Sequence, residues 1–144
     1  MKKVVFLLCM SFVSSLFAQN WQENYAEAQA LAKETNKNLL LVFAGSDWCA
    51  PCIKLEKTIW ESANFKQFAK TDLVLYKADF PRKKANKLSK DLVIQNADLA
   101  EQYNPQGHFP LVVLLNEEGK VLGNTGYLKL TPEAYVNHLK TFLK

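Results

Sequence analysis

The passage from residue 39 to residue 52 limits the folding options of this chain more than any other. Leu39-Leu40-Leu41-Val42-Phe43-Ala44 is an uninterrupted apolar run. Alternate side chains of a strand point to opposite faces, so such a run is satisfied only when both faces are covered. It predicts a central strand with helical layers above and below. Gly45-Ser46-Asp47 then supply a turn and candidate capping groups. The stretch from Cys52 to Ala69 reads mostly as helix, with an interruption near Ser62-Ala63-Asn64. The strand therefore delivers the chain to a helix whose N-terminus carries Cys49 and Cys52.

The other elements arrange themselves around that unit. Asn20 followed by Glu23 has the pattern of a capping box, and Trp21, Tyr25, Ala28 and Ala32 recur at helical spacing, which predicts a helix to about Glu34. Leu73 to Ala78 reads as a second strand, about Asn96 to Tyr103 as a helix, and Leu111 to Leu115 as a third strand. Asn116-Glu117-Glu118-Gly119 turns the chain into an antiparallel fourth strand over Lys120-Val121-Leu122-Gly123. Thr131-Pro132-Glu133 opens a last helix whose buried stripe is Tyr135, Leu139, Phe142 and Leu143. This order predicts an α/β fold, a three-layer α/β/α sandwich around a central mixed four-stranded sheet. The 144 residues leave room for one such domain.

The N-terminus stands apart. Lys2 and Lys3 precede an apolar run from Val4 to Phe17, which ends in Leu16-Phe17-Ala18-Gln19. The run is shorter than the roughly 20 residues a membrane-spanning helix needs and has a small residue at its end, the pattern of a secretory signal peptide. Cleavage is expected after Ala18. That leaves a domain of residues 19–144 exported to a bacterial periplasm or, as second choice, secreted. Cys9 lies mid-run behind Leu8, which is not the small residue a lipoprotein signal requires.

Without residues 1–18 the chain has 16 basic and 14 acidic residues, spread along its length, and nucleic acid is not an expected partner. It also keeps only Cys49 and Cys52. An exported domain could use long-range disulfides as staples. A Cys49–Cys52 bridge would close a very short loop and stabilise little, so the pair is better explained as chemistry. Two cysteines at a helix N-terminus sit in its partial positive charge, which favours a thiolate. In this spacing the first sulfur, Cys49, is expected to be the more accessible and to attack, and Cys52 to resolve. A competing zinc reading would take Cys49, Cys52, His108 and His138. The two histidines lie 30 positions apart, without the short spacing of structural zinc sites, and there is no second Cys-x-x-Cys.

Trp48-Cys49-Ala50-Pro51-Cys52, placed after a buried strand, closely resembles the active-site segment of the thioredoxin superfamily. In His108-Phe109-Pro110-Leu111, Pro110 stands where that family has a cis-proline facing the disulfide, and Thr125-Gly126-Tyr127 looks like its glycine-containing loop beside the substrate groove. Within the superfamily, the chain looks most like exported thioredoxin-like proteins and the catalytic domains of periplasmic thiol–disulfide interchange proteins. The resemblance implies an oxidoreductase with a redox-active Cys49–Cys52 disulfide and no metal or organic cofactor. It implies substrate contacts at Trp48, Ala50, Pro51, Phe109, Pro110 and Gly126. Disulfide-containing proteins are the implied substrates of a monomer recharged by a membrane-borne electron donor. A binding module or holdase using Trp48, Phe109, Pro110 and Tyr127 without redox turnover is the alternative from another class.

Two departures from the family stand out. Phe43 occupies the position, six residues before the first cysteine, of a buried aspartate usually assigned to proton transfer, leaving Glu56 and Lys77 as candidate substitutes. The segment from Pro81 to Asn96 is longer than the minimal pattern and holds Arg82, Lys83, Lys84, Lys87 and Lys90, read either as a solvated face or as a partner surface. Ala50-Pro51 is uncharged and resembles the Gly-Pro of reducing thioredoxins, without the histidine of strongly oxidising relatives. It favours a reductant over an oxidant or isomerase.

Overall fold

The structure, a computed structural model, describes residues 20–143. The expected signal peptide and its cleavage point lie outside the described residues. A five-stranded mixed sheet has the order β1-β3-β2-β4-β5. Its strands are β1 (Trp21–Gln22), β2 (Asn38–Ala44), β3 (Leu73–Asp79), β4 (Leu111–Leu115) and β5 (Val121–Thr125). β2 lies at the centre, parallel to β3 and antiparallel to β4, with Leu40 opposite Leu75 on one side and Leu114 on the other. The expected four-stranded sheet becomes five because Trp21 and Gln22 pair in parallel with Leu75 and Tyr76. A two-residue strand formed by pairing over 50 residues away has no local period to announce it.

The apolar run of β2 divides by parity. Leu40, Val42 and Ala44 enter a core with Leu55, Ile59, Trp60, Phe65 and Tyr135. Leu39, Leu41 and Phe43 enter a second core with Ala28, Ala32 and Leu99. The helices that supply them are α1 (Tyr25–Thr35) and α4 (Lys90–Tyr103) on one face, and α2 (Ala50–Leu55), α3 (Ala63–Asp72) and α5 (Pro132–Lys140) on the other. The three layers follow from the double-sided burial of β2. Among the described residues, no helix is long and apolar enough to cross a membrane.

Boundary shifts have physical causes. The cap of the first helix lies four residues later than expected, since Asn24, not Asn20, accepts the Glu27 N–H at 2.9 Å, and the helix ends where Asn36 adopts φ 52°. Replacing Asn24 with alanine should cost about 1 kcal/mol, read as an earlier urea midpoint at constant slope. The helix after the cysteines is broken earlier than expected, passing through a π-helical turn at Glu56–Trp60 before Ser62 caps α3. α4 is capped by Ser89, whose hydroxyl accepts the Leu92 N–H. Its first turns carry the exposed Val93 and Ile94, so they lack the apolar period that betrayed the rest. α4 is tied to β3 by a polar chain. Gln95 Nε2 donates to the Tyr76 hydroxyl at 2.6 Å, that hydroxyl donates to Asn96 Oδ1 at 2.6 Å, and Asn96 Nδ2 donates to the Asp79 carbonyl at 3.0 Å. Burial pushes the Tyr76 phenol up to about 12, so it stays a donor throughout the physiological range.

Candidate active site

The site forms where β2 ends and α2 begins. Cys49 and Cys52 are joined by a disulfide with an S–S length of 2.11 Å and Cα atoms 5.2 Å apart. Cys49 is the N-cap of α2, in extended conformation, and its Sγ accepts the Cys52 backbone N–H at 3.3 Å. A sulfur in that position faces unpaired helix N–H groups and the positive end of the helix, both of which stabilise a thiolate over a thiol. One sequence expectation changes here. Cys49 was expected to be the more accessible sulfur, yet Cys49 is 4% and Cys52 5% exposed. Trp48 and Phe109 pack against the core cluster that holds both cysteines. What separates the two cysteines is capping geometry. Ala50 and Pro51 between them are exposed.

Backbone turns hold the cysteine loop. The Gly45 carbonyl accepts the N–H groups of Trp48 at 3.2 Å and Cys49 at 2.9 Å. Any Cβ at Gly45 would meet the Trp48 ring at 2.2 Å, so this glycine is what lets the indole fold back over the loop. Trp48 packs edge-on against Phe109, with ring centroids 5.5 Å apart, and its Nε1 donates to the Phe80 carbonyl at 2.7 Å. Phe80 in turn packs edge-on against Phe109 at 5.4 Å. The Phe109–Pro110 peptide bond is cis and Pro110 is buried. Gly126 lies against it, since a Cβ there would come within 3.3 Å of the Pro110 carbonyl, and the Tyr135 hydroxyl fixes the Gly126 carbonyl at 2.9 Å. Trp48 is thus linked through Phe109 to Pro110, and Pro110 to Gly126, along the edge that carries the disulfide.

Asp47 does work that no local pattern signals. Instead of capping α2, its carboxylate accepts the N–H groups of Arg82 and Lys83 and the Asn86 side-chain amide, each at 2.9 Å. The Arg82 N–H bond foremost, then the Asn86 amide, holds its pKa below the ordinary carboxylate value. A depressed carboxylate contributes above its unfolded pKa and loses that contribution as pH falls through the folded value. Protection of the Arg82 and Lys83 amides against hydrogen exchange, taken relative to the intrinsic rate at each pH, should therefore be high at neutral pH and fall selectively on acidification below pH ~4. Asp47→Asn should remove that pH dependence. The neighbouring Ser46 takes a similar role, its N–H and hydroxyl donating to Asp79.

Phe43 is fully buried in the core beneath α1 and α4, so the position where the family has an acid is apolar. Glu56 and Lys77, separate candidates in the sequence, form an ion pair, and Lys77 also lies over the Trp21 ring at 4.7 Å. Glu56 stands one turn beyond Cys52, whose carbonyl accepts its backbone N–H. The histidines do not join the cysteines. His138 Nε2 lies 3.1 Å from Thr125 Oγ1, and Asn104 brackets the backbone of His108. Among the described residues, no group of three or more His, Cys, Asp or Glu could hold a metal ion.

A family model described as thioredoxin-like matches residues 20–117. The chain belongs to the thioredoxin superfamily, a family of thiol–disulfide oxidoreductases. It is 39% identical over 122 residues to the disulfide bond reductase DsbH of Chlamydia pneumoniae, covering 85% of this chain and 72% of that one. A solved structure of a DsbH oxidoreductase superposes with a TM-score of 0.80 at 36% identity, over 93% of this chain and 92% of that one. A thioredoxin from Thermus thermophilus shares the fold, with a TM-score of 0.65 at 14% identity over 88% of each chain.

Proposed function

We propose that this chain is an exported reductase of protein disulfides. The observation that carries the proposal is Cys49 as helix N-cap, bonded to the Cys52 N–H and bridged to Cys52 beside an apolar edge. In the reduced protein the Cys49 thiolate attacks one sulfur of a substrate disulfide. A Cys49–substrate bond forms, the substrate S–S bond breaks, and the departing sulfur leaves as a thiolate that takes up a proton. Cys52 then gives up its proton and attacks Cys49 Sγ. The intramolecular disulfide forms and the second substrate thiolate is released, so two electrons have passed from the protein to the substrate. The two sulfurs carry both electrons, so the cycle calls for no organic cofactor or metal.

The substrate backbone lies extended against Trp48, Ala50, Pro51, Phe109, Pro110 and Gly126, where apolar packing and main-chain bonds tolerate varied side chains. The reducing direction is supported by the uncharged Ala50-Pro51 pair and by similarity to a protein named as a disulfide bond reductase. In an oxidising compartment such a monomer needs recharging, for which we assign a membrane-borne electron donor. The test is turnover in both directions. With dithiothreitol as electron source, catalytic amounts should accelerate reduction of a disulfide-bonded protein. The oxidised chain should be a poor oxidant of the reduced substrate; efficient oxidation with little reduction would overturn the proposal.

A further inference from the structure

The basic segment after β3 is built onto the cysteine loop. Arg82 stacks over the Trp48 ring, its guanidinium carbon 3.8 Å from the centroid, while Asp47, two residues before Cys49, holds the backbone of Arg82 and Lys83. Phe80, at the start of the same segment, accepts the Trp48 indole N–H. Whatever this segment presents therefore has a fixed position beside the reactive disulfide.

What it presents is positive charge around an apolar hollow. Residues 82–90 contain five basic residues and no acid. Lys84 and Lys87, with Lys83, line a cavity of about 270 Å³ whose apolar walls include Pro81, Leu88 and Val93. Val93 is 51% exposed and its neighbour Ile94 59%. The acids nearby are Asp47 and Asp79, both engaged by hydrogen bonds, and the exposed Asp91 in the first turn of α4. The buried Asn96 beside the cavity is bonded to Tyr76 and Asp79. Among the described residues, no carboxylate forms an ion pair with Lys84 or Lys87.

We infer that this surface binds the partner segment flanking the scissile disulfide, and that it selects a segment combining acidic residues with an apolar side chain. This rests on the reductase reading and names its substrate class. The lysines steer acidic partners to Cys49 and the hollow takes the apolar side chain. Opposite fixed charges raise association rates by about 10- to 1,000-fold at low salt, an advantage lost as the screening length falls to about 3 Å at 1 M.

The test uses three disulfide-bonded peptides of one length, with glutamate, glutamine or lysine beside the cysteine and one leucine in each. The readout is the rate ratio of each charged peptide to the neutral one, with dithiothreitol as electron source. The wild-type chain should reduce the acidic peptide about tenfold faster than the neutral one at low salt, with the ratio near one at 1 M salt. Lys84→Gln/Lys87→Gln should erase the preference and Lys84→Glu/Lys87→Glu should reverse it. Lys120→Glu, in the turn at the far end of β4, should keep it. Equal rates for all peptides would overturn the inference, as would an equal effect of Lys120→Glu, which would make net charge the cause. Tight binding to anionic phospholipid vesicles without peptide discrimination would also overturn it and assign the patch to a membrane surface. Failure to reduce any peptide would instead strike the reductase reading itself.

Discussion

Cys52→Ser is expected to stop turnover while leaving the first step intact. The variant should accumulate a covalent Cys49–substrate mixed disulfide, visible as a mass addition that disappears on reduction. Cys49→Ser, which removes the attacking sulfur, should form no such adduct, and turnover should fall by more than roughly a thousandfold, in line with the loss of an enzymic nucleophile. The asymmetry follows from capping: the Cys49 sulfur accepts a helix N–H, whereas Cys52 contributes the N–H and lies inside the first turn. Neither substitution should unfold the chain, because the bridge spans a separation of three residues and removes little loop entropy. Unfolding curves close to wild type would separate lost chemistry from lost structure. Trapping on Cys52 in a Cys49→Ser variant would reverse the assigned roles.

The largest expected loss of stability comes from Trp60→Ala. Trp60 is 1% exposed at the end of the π-helical turn and contacts Phe65 at 4.4 Å, Tyr135 at 5.7 Å and Trp21 at 6.3 Å between ring centroids. It joins α3, α5 and the edge strand β1, so its truncation leaves a hole that no single neighbour can fill. Large-to-small changes of this kind cost about 3–5 kcal/mol, a large part of the roughly 5–15 kcal/mol that holds a domain together. The melting temperature should fall by roughly 10–20 °C. Trp21→Ala should cost clearly less, since Trp21 is only half-buried on a two-residue strand. A Trp60→Ala variant that melts within a few degrees of wild type would mean that this cluster repacks freely.

These two predictions also mark what the chain discloses before it is folded. The Leu39–Ala44 run, Cys49 and Cys52 at the start of the next helix, β4 after Pro110 and the Thr131 cap of α5 were all legible. In each, a local pattern coincides with the final environment. The features that escaped are created by distance. β1 exists only through its pairing with Leu75 and Tyr76. Asp47 sits in a turn and looks like a helix cap, yet it serves a loop 35 residues on. Phe80 and Arg82, which frame Trp48, belong to no motif. Gly45 was read as a turn residue, while its larger role is to leave room for the indole. The near-equal burial of the Cys49 and Cys52 residues escaped as well, because the Cys-x-x-Cys spacing does not report what packs around it.

The central claim is that Cys49 and Cys52 are a reducing couple, and their reduction potential tests it most directly. The protein would be equilibrated in graded dithiothreitol buffers and the fraction reduced read by thiol alkylation and mass. A value near about −270 mV, in the range of thioredoxins, is the predicted result. A value near about −120 mV would make the chain an oxidant and contradict the account.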